Sequence, residues 1–144
     1  MTLARSSGGF GSHVSQQGWR VAGEIVAFVE TTFGVDSGSS TLVIVDVGAR
    51  RRLREAPVGS YVDAGLIRDE RLAALVLTPR GSAAWVTTSS NRGVAGPASV
   101  HLAGRTGPVL VLDEGTAVDP ASLRLEGSTL SWSDGGTRRS HPMP

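Results

Sequence analysis

Leu72 to Thr88 reads LAALVLTPRGSAAWVTT, two apolar arms folded about Thr78-Pro79-Arg80-Gly81 and closed by Trp85. Leu75 and Leu77 alternate on the first arm, and Ala84, Trp85 and Val86 make the second. Alternation on either side of a Pro and Gly turn predicts a half-buried β-hairpin. Trp85 is its anchor, because burying one large aromatic is worth roughly 1.5–3 kcal/mol or more. The tryptophan therefore reads as a packing residue rather than a ligand-stacking one.

The same pattern recurs on both sides. Val21, Ile25, Val26, Phe28 and Val29 form two arms meeting near Gly23-Glu24, and TTFGVDSGSS over 31–40 reads as a turn or loop. Leu42, Val43, Ile44, Val45 and Val47 form a run too β-branched to prefer helix, which predicts a central strand buried on both faces. RRRLREAP then turns back, with Leu53 inward and alternation sending Arg52 and Arg54 together to the other face. Between 58 and 71, Tyr61, Leu66 and Ile67 suit either a short strand or one helical turn. SSNRGVAGP reads as a plain loop, and Val100 and Leu102 pair across Gly104–Pro108 with Val109–Leu112. After a loop over 113–120, Leu123-Arg124-Leu125 turns at Glu126-Gly127 into Leu130 and Trp132, and SDGGTRRSHPMP trails away.

Superimposing these units exposes an internal repeat. Phe28 and Trp85 lie 57 residues apart, as do Ala27 and Ala84, Val43 and Val100, and Leu53 and Leu110. Trp132 follows Trp85 by 47 residues, and Gly127 precedes it as Gly23 precedes Phe28. The unit is a pair of hairpins, present over 19–57 and 72–115 and by half over 121–141, with Phe28, Trp85 and Trp132 as matched structural anchors. Four-stranded units repeating at about 40–57 residues hide their faces against one another as propeller blades do. The expected fold is all-β, with repeated antiparallel β-hairpins forming propeller-blade-like sheets, as a partial propeller or a small β-sandwich. Residues 1–18, rich in Gly, Ser and Gln without period, are expected to be a flexible N-terminal tail before a single domain over 19–141.

LVLTPRGSAAWV and VLVLDEGTAVDPASLRLEGSTLSW resemble the blade text of uncharacterised WD40-like or TolB-like β-propeller proteins of high-G+C actinobacteria. The resemblance covers about residues 19–141 and rests on structural, not catalytic, motifs. It implies a binding scaffold of a kind often exported or envelope-associated. A closed propeller usually takes four blades or more, and about two and a half are present here, which implies a fragment, a ring closed by several chains, or an open or sandwich-like stack with edges free to associate.

Composition narrows the function. Fourteen arginines, no lysine and thirteen carboxylates leave a formal charge of +1, so overall charge points to neither nucleic acid nor an anionic membrane. With no cysteine, disulfides, thiolate metal sites and a cysteine nucleophile are excluded. No apolar run approaches the ~18 residues of a membrane span, and no signal-peptide core is present, although the compartment stays open.

No catalytic constellation emerges, and no cofactor or metal is expected. His13 and His141 fall in expected mobile ends, and His101 reads as an edge or solvent-facing strand residue. Asp46, Asp113, Glu114, Asp119 and Asp134 recur at strand ends and turns, where Asp is an ordinary turn residue. The sharpest polar feature is Arg50, Arg51, Arg52 and Arg54, read mainly as a solvated edge and otherwise as an anion grip through paired guanidinium bonds. With only seven aromatics in the chain, exposed stacking platforms for nucleic acid are lacking. The expected function is a non-catalytic β-propeller-like binding or scaffold module that recognises a protein, peptide or glycan through loops or an open edge, with possible self-association. The alternative is an envelope-polymer hydrolase or lyase with rim carboxylates such as Asp113 and Asp119.

Overall fold

The computed structural model describes residues 13–62 and 68–144. Eleven strands run in order: β1 (His13–Ala22), β2 (Ile25–Phe33), β3 (Ser37–Asp46), β4 (Arg51–Val62), β5 (Arg68–Leu77), β6 (Ala83–Asn91), β7 (Val94–Ala103), β8 (Val109–Gly115), β9 (Arg124–Glu126), β10 (Thr129–Asp134) and β11 (Thr137–Pro142). They form two separate antiparallel sheets, an eight-stranded meander from β1 to β8 and a three-stranded sheet in the order β11-β10-β9. Among the described residues the sheets do not close into a ring, and the arrangement is sandwich-like.

The meander is really two four-stranded halves. Among the described residues, β4 and β5 pair only at Tyr61↔Asp69 and Val62↔Arg68. Beyond that corner the halves fold face to face around one core, in which Ala27, Val29, Leu42 and Ile44 meet Leu75, Leu77 and Trp85. β1 lies beside β5: Arg20 Nε donates to the Leu75 carbonyl at 2.9 Å. Gly18 makes this approach possible, since it has φ +66° at a bulge in β1 and a Cβ there would stand 2.6 Å from Leu72 Cδ2. At the other side, an Arg54 terminal nitrogen donates to the Gly107 carbonyl at 2.7 Å, tying β4 to the β7–β8 turn. The second half thus runs in the same strand order as the first.

The remaining faces follow the pleat. Ala84, Val86, Val100 and Leu102 point away from the first half into a second core with Leu130 and Trp132 of the small sheet. Phe28, Val43 and Val45 form a third cluster on the far face of the first half, where Trp19 stacks on Phe28 at 4.5 Å. The three anchors are all buried, at 1%, 0% and 5% exposure for Phe28, Trp85 and Trp132. Each points toward the preceding side of the stack. Ala27 and Ala84, their chain neighbours, point to the following side. The repeat therefore has a physical basis: each sheet needs one bulky residue facing back and one small residue facing forward, so that successive sheets interlock.

Several expectations are corrected. β1 begins at His13, so the expected tail over 1–18 overlaps a strand whose backbone pairs with β2 without needing apolar side chains; residues 1–12 lie outside the described residues. TTFGVDSGSS contains the ends of β2 and β3 around a short turn, and SSNRGVAGP is the tight hairpin of β6 and β7, with Arg92 and Gly93 at positive φ. β8 runs on to Gly115 into the expected loop. The C-terminal segment forms β11, and Met143 is buried against the second core. The offset of 57 holds between β2 and β6 but slips by one in the next strand: Phe28 faces Val43, whereas Trp85 faces His101 rather than Val100. Tyr61 belongs to β4; Leu66 and Ile67 fall outside the described residues.

Candidate functional site

Antiparallel hairpins alternate their turns between the two ends of the strands, and the ends differ in chemistry. At one end lie the turns β1–β2, β3–β4, β5–β6 and β7–β8; the last three carry arginine, the first carries Glu24, and Arg92 lies in the β6–β7 turn at the other end. Arg50 and Arg51 project from the β3–β4 turn, Arg80 from β5–β6 and Arg105 from β7–β8, all exposed and without an ion pair among the described residues. Arg50 occupies the turn at φ 52°. Beside Arg80 and Arg105 runs an open groove of about 710 Å³ with Pro79, Leu102, Pro108 and Leu110 in its walls.

The expected arginine strand is split. A register shift sits between Ile44 and Val45 in the pairing of β3 with β4, so Arg54 lies opposite inward-facing Ile44 while Arg52 lies opposite outward-facing Val45. Arg52 and Arg54 therefore do not share a face. Arg52 pairs with Glu55, and half-buried Arg54 reaches across to Gly107 as Leu53 packs on the first core. Within the predicted quartet, Arg50 and Arg51 are the two whose guanidinium groups make no bond among the described residues, and Arg80 and Arg105 join them from other hairpins. Sequence reading missed those two because one arginine per turn leaves no local cluster.

At the opposite end the apolar core between the two halves gives way to a polar cleft. One row of cross-strand neighbours, Ser15↔Thr31↔Ser40, follows directly on Val29↔Leu42 and faces the same way. Thr31 and Ser40 join their hydroxyls at 2.8 Å. The next row holds Phe33, Gly38 and Tyr61, with the two rings 5.7 Å apart. Gly38 lets the Tyr61 ring lie across the strand, since a Cβ there would overlap the hydroxyl end of that ring. Ser15, Thr31, Ser40, Phe33 and Tyr61, with Gln17, Asp69, Glu70 and Arg71, line a cavity of about 370 Å³. Arg71 is ion-paired with Asp69, and Glu70 accepts the Ser60 amide at 3.1 Å. The alternation of Thr31 with Phe33 and of Ser40 with Gly38 was the available signal, hidden by the turn-like composition of the stretch.

In the second half the row Thr87↔Ser99↔Glu114 occupies the corresponding place, and with Glu70 it lines a further cavity of about 420 Å³. His101 lies just inside it on β7, an interior strand, stacked on Trp85 at 5.3 Å and within 3.1 Å of Thr87 Oγ1. It is half-buried on an interior strand and not at an edge. Burial pushes its pKa below the ordinary imidazole value, with Glu114 and Glu70 partly opposing that shift.

The other expected polar residues are dispersed. His141 is on β11, and His13 opens β1. Asp113 accepts Trp132 Nε1, Asp119 accepts the Ala121 amide, Asp46 accepts the Ala49 amide, and Asp134 pairs with Arg139. Asp113 and Asp119 thus each hold a structural partner. Among the described residues no three His, Asp or Glu side chains are placed to hold a metal ion, and no helix is long and apolar enough to cross a membrane.

These features define an all-β repeat domain of two antiparallel sheets. Comparison of the chain with protein-family models, with curated proteins and with solved structures returned no match.

Proposed function

We propose that the chain is a non-catalytic binding module built of propeller-blade-like sheets, and that its arginine-bearing turns dock an acidic peptide segment of a partner protein. The blade comparison is supported by β1 lying beside β5 and by the common direction of Phe28, Trp85 and Trp132. The observation that carries the binding reading is the convergence of Arg50, Arg51, Arg80 and Arg105 from three hairpins at one end. Guanidinium groups take carboxylates through paired hydrogen bonds. The groove walls at Leu102, Leu110 and the prolines supply contacts for apolar side chains between the acids. An occupant alternating acidic and apolar residues matches both.

Fluorescence anisotropy of labelled Asp- and Leu-containing peptides against the full chain tests this. Binding should weaken steeply with salt, because exposed charges are screened beyond about 10 Å at 0.1 M. Replacing Arg50, Arg51, Arg80 and Arg105 by serine should abolish it while the circular dichroism spectrum is retained. Equal binding of Asn- and Leu-containing controls, or indifference to the fourfold replacement, would remove the reading.

A further inference from the structure

We infer that the cleft at the end opposite the arginine turns is a binding site for a neutral sugar. The inference does not rest on the peptide reading above, as it uses none of the same residues.

Size comes first. Small-ligand sites commonly span about 300–1,000 Å³, and the cavity of about 370 Å³ falls at the compact end of that range. It opens where the two halves stop touching, so its walls come from both and are held by the core behind them.

Chemistry then selects the ligand. Cavity walls that continue an apolar core ordinarily stay apolar, yet here the pleat places hydroxyls on Ser15, Thr31 and Ser40 in a single row across three strands. Such a row offers donors and acceptors that rotate to suit a partner. The following row presents the Phe33 and Tyr61 rings, held close by Gly38. Aromatic faces carry partial negative charge and attract weakly positive C–H groups. A ring bearing hydroxyls on its edge and C–H bonds on its face satisfies both rows at once, which is the surface of a pyranose sugar.

The charges argue against ionic ligands. Arg71, the cation of the lining, is already paired with Asp69 and so offers little to an anion. Asp69 is in turn neutralised by Arg71, and Glu70 accepts the Ser60 amide, so both carboxylates are already engaged and either can also accept from a ligand hydroxyl.

Tyr61 supplies an independent observation. Its hydroxyl is shut off from solvent and has no hydrogen-bond partner among the described residues. Tyr61 therefore meets the cavity through its ring and not through its hydroxyl, which suits the C–H face of a sugar.

The test is a two-dimensional amide NMR titration of the full chain with glucose, galactose, mannose, N-acetylglucosamine and their trimers. Saturable shifts are expected for at least one sugar, centred on Ser15 to Gln17, Thr31 to Ser40 and Asp69 to Arg71. Tyr61→Ala should weaken binding at least tenfold by removing one ring face from the cavity, and Phe33→Ala should abolish it. Gln17→Ala, on the exposed lip, provides a third reading should either aromatic variant lose its dispersed spectrum. Arg80→Ser with Arg105→Ser should leave sugar affinity unchanged, which separates this site from the peptide surface. The inference is overturned if no sugar gives saturable shifts, if ethylamine or tetramethylammonium shifts these amides in place of sugars, or if the well-folded variants bind as the parent does.

Discussion

Trp132 Nε1 donates to Asp113 Oδ2 at 2.7 Å, and this bond fastens the three-stranded sheet to the last strand of the eight-stranded one. Among the described residues the two sheets share no strand-to-strand ladder, so their union depends on the second apolar core, on such side-chain bonds and on the segment after β8, where Asp119 and Ala117 bond to Ser133 and Gly135 through the backbone. Asp113→Leu removes the acceptor and leaves an indole N–H without a partner at a site where Trp132 is 5% exposed. A loss of about 1–3 kcal/mol is expected, with Asp113→Asn closer to the parent because its amide oxygen still accepts. Urea unfolding followed by tryptophan fluorescence checks the order of the three proteins.

Trp85 offers the opposite case. It is fully buried between the two halves, but its Nε1 has no hydrogen-bond partner among the described residues. Trp85→Ala should cost about 3–5 kcal/mol through cavity formation. Trp85→Phe should cost much less than half of that, because the ring's packing is largely kept and no hydrogen bond is lost. A phenylalanine variant as unstable as the alanine one would show that the indole N–H is engaged in solution.

Burial lowers the pKa of His101, so the unfolded chain binds this proton more readily than the folded one. Stability from this group is complete above the ordinary value near 6.5 and declines as pH falls from there toward the lowered folded value. Thermal melts should therefore show a falling midpoint over that window, and His101→Gln should flatten this part of the profile. An unchanged profile in the variant would assign the pH dependence to other groups.

Gly38 and Tyr61 should behave as a coupled pair. Gly38→Ala drives a methyl group into the Tyr61 ring and is expected to cost about 1–3 kcal/mol through overpacking. In a Tyr61→Ala background the same change should be nearly neutral, and the double-mutant cycle measured by chemical denaturation gives the coupling directly. Additive effects would place the ring elsewhere.

The alternation of Leu75, Leu77 and Trp85 about a Pro and Gly turn, and the β-branched run from Leu42 to Val47, sufficed to establish hairpins, an all-β domain and three buried anchors. Those features are local: period-two patterning and turn chemistry act over neighbouring residues and are written into the chain. Strand ends were less legible at Thr31–Ser40 and Ser89–Pro97, because backbone pairing there is satisfied by polar and small residues that composition alone assigns to loops. Tertiary structure decided the rest. A single register shift in β4 separated Arg52 from Arg54, and face-to-face folding of the two halves brought Arg80 and Arg105 to the end where Arg50 and Arg51 lie. It also aligned Thr31 with Ser40 and set Phe33 beside Tyr61 across Gly38. Cross-strand register and sheet stacking depend on residues far apart in sequence meeting in space, so the candidate sites exist only in the folded chain.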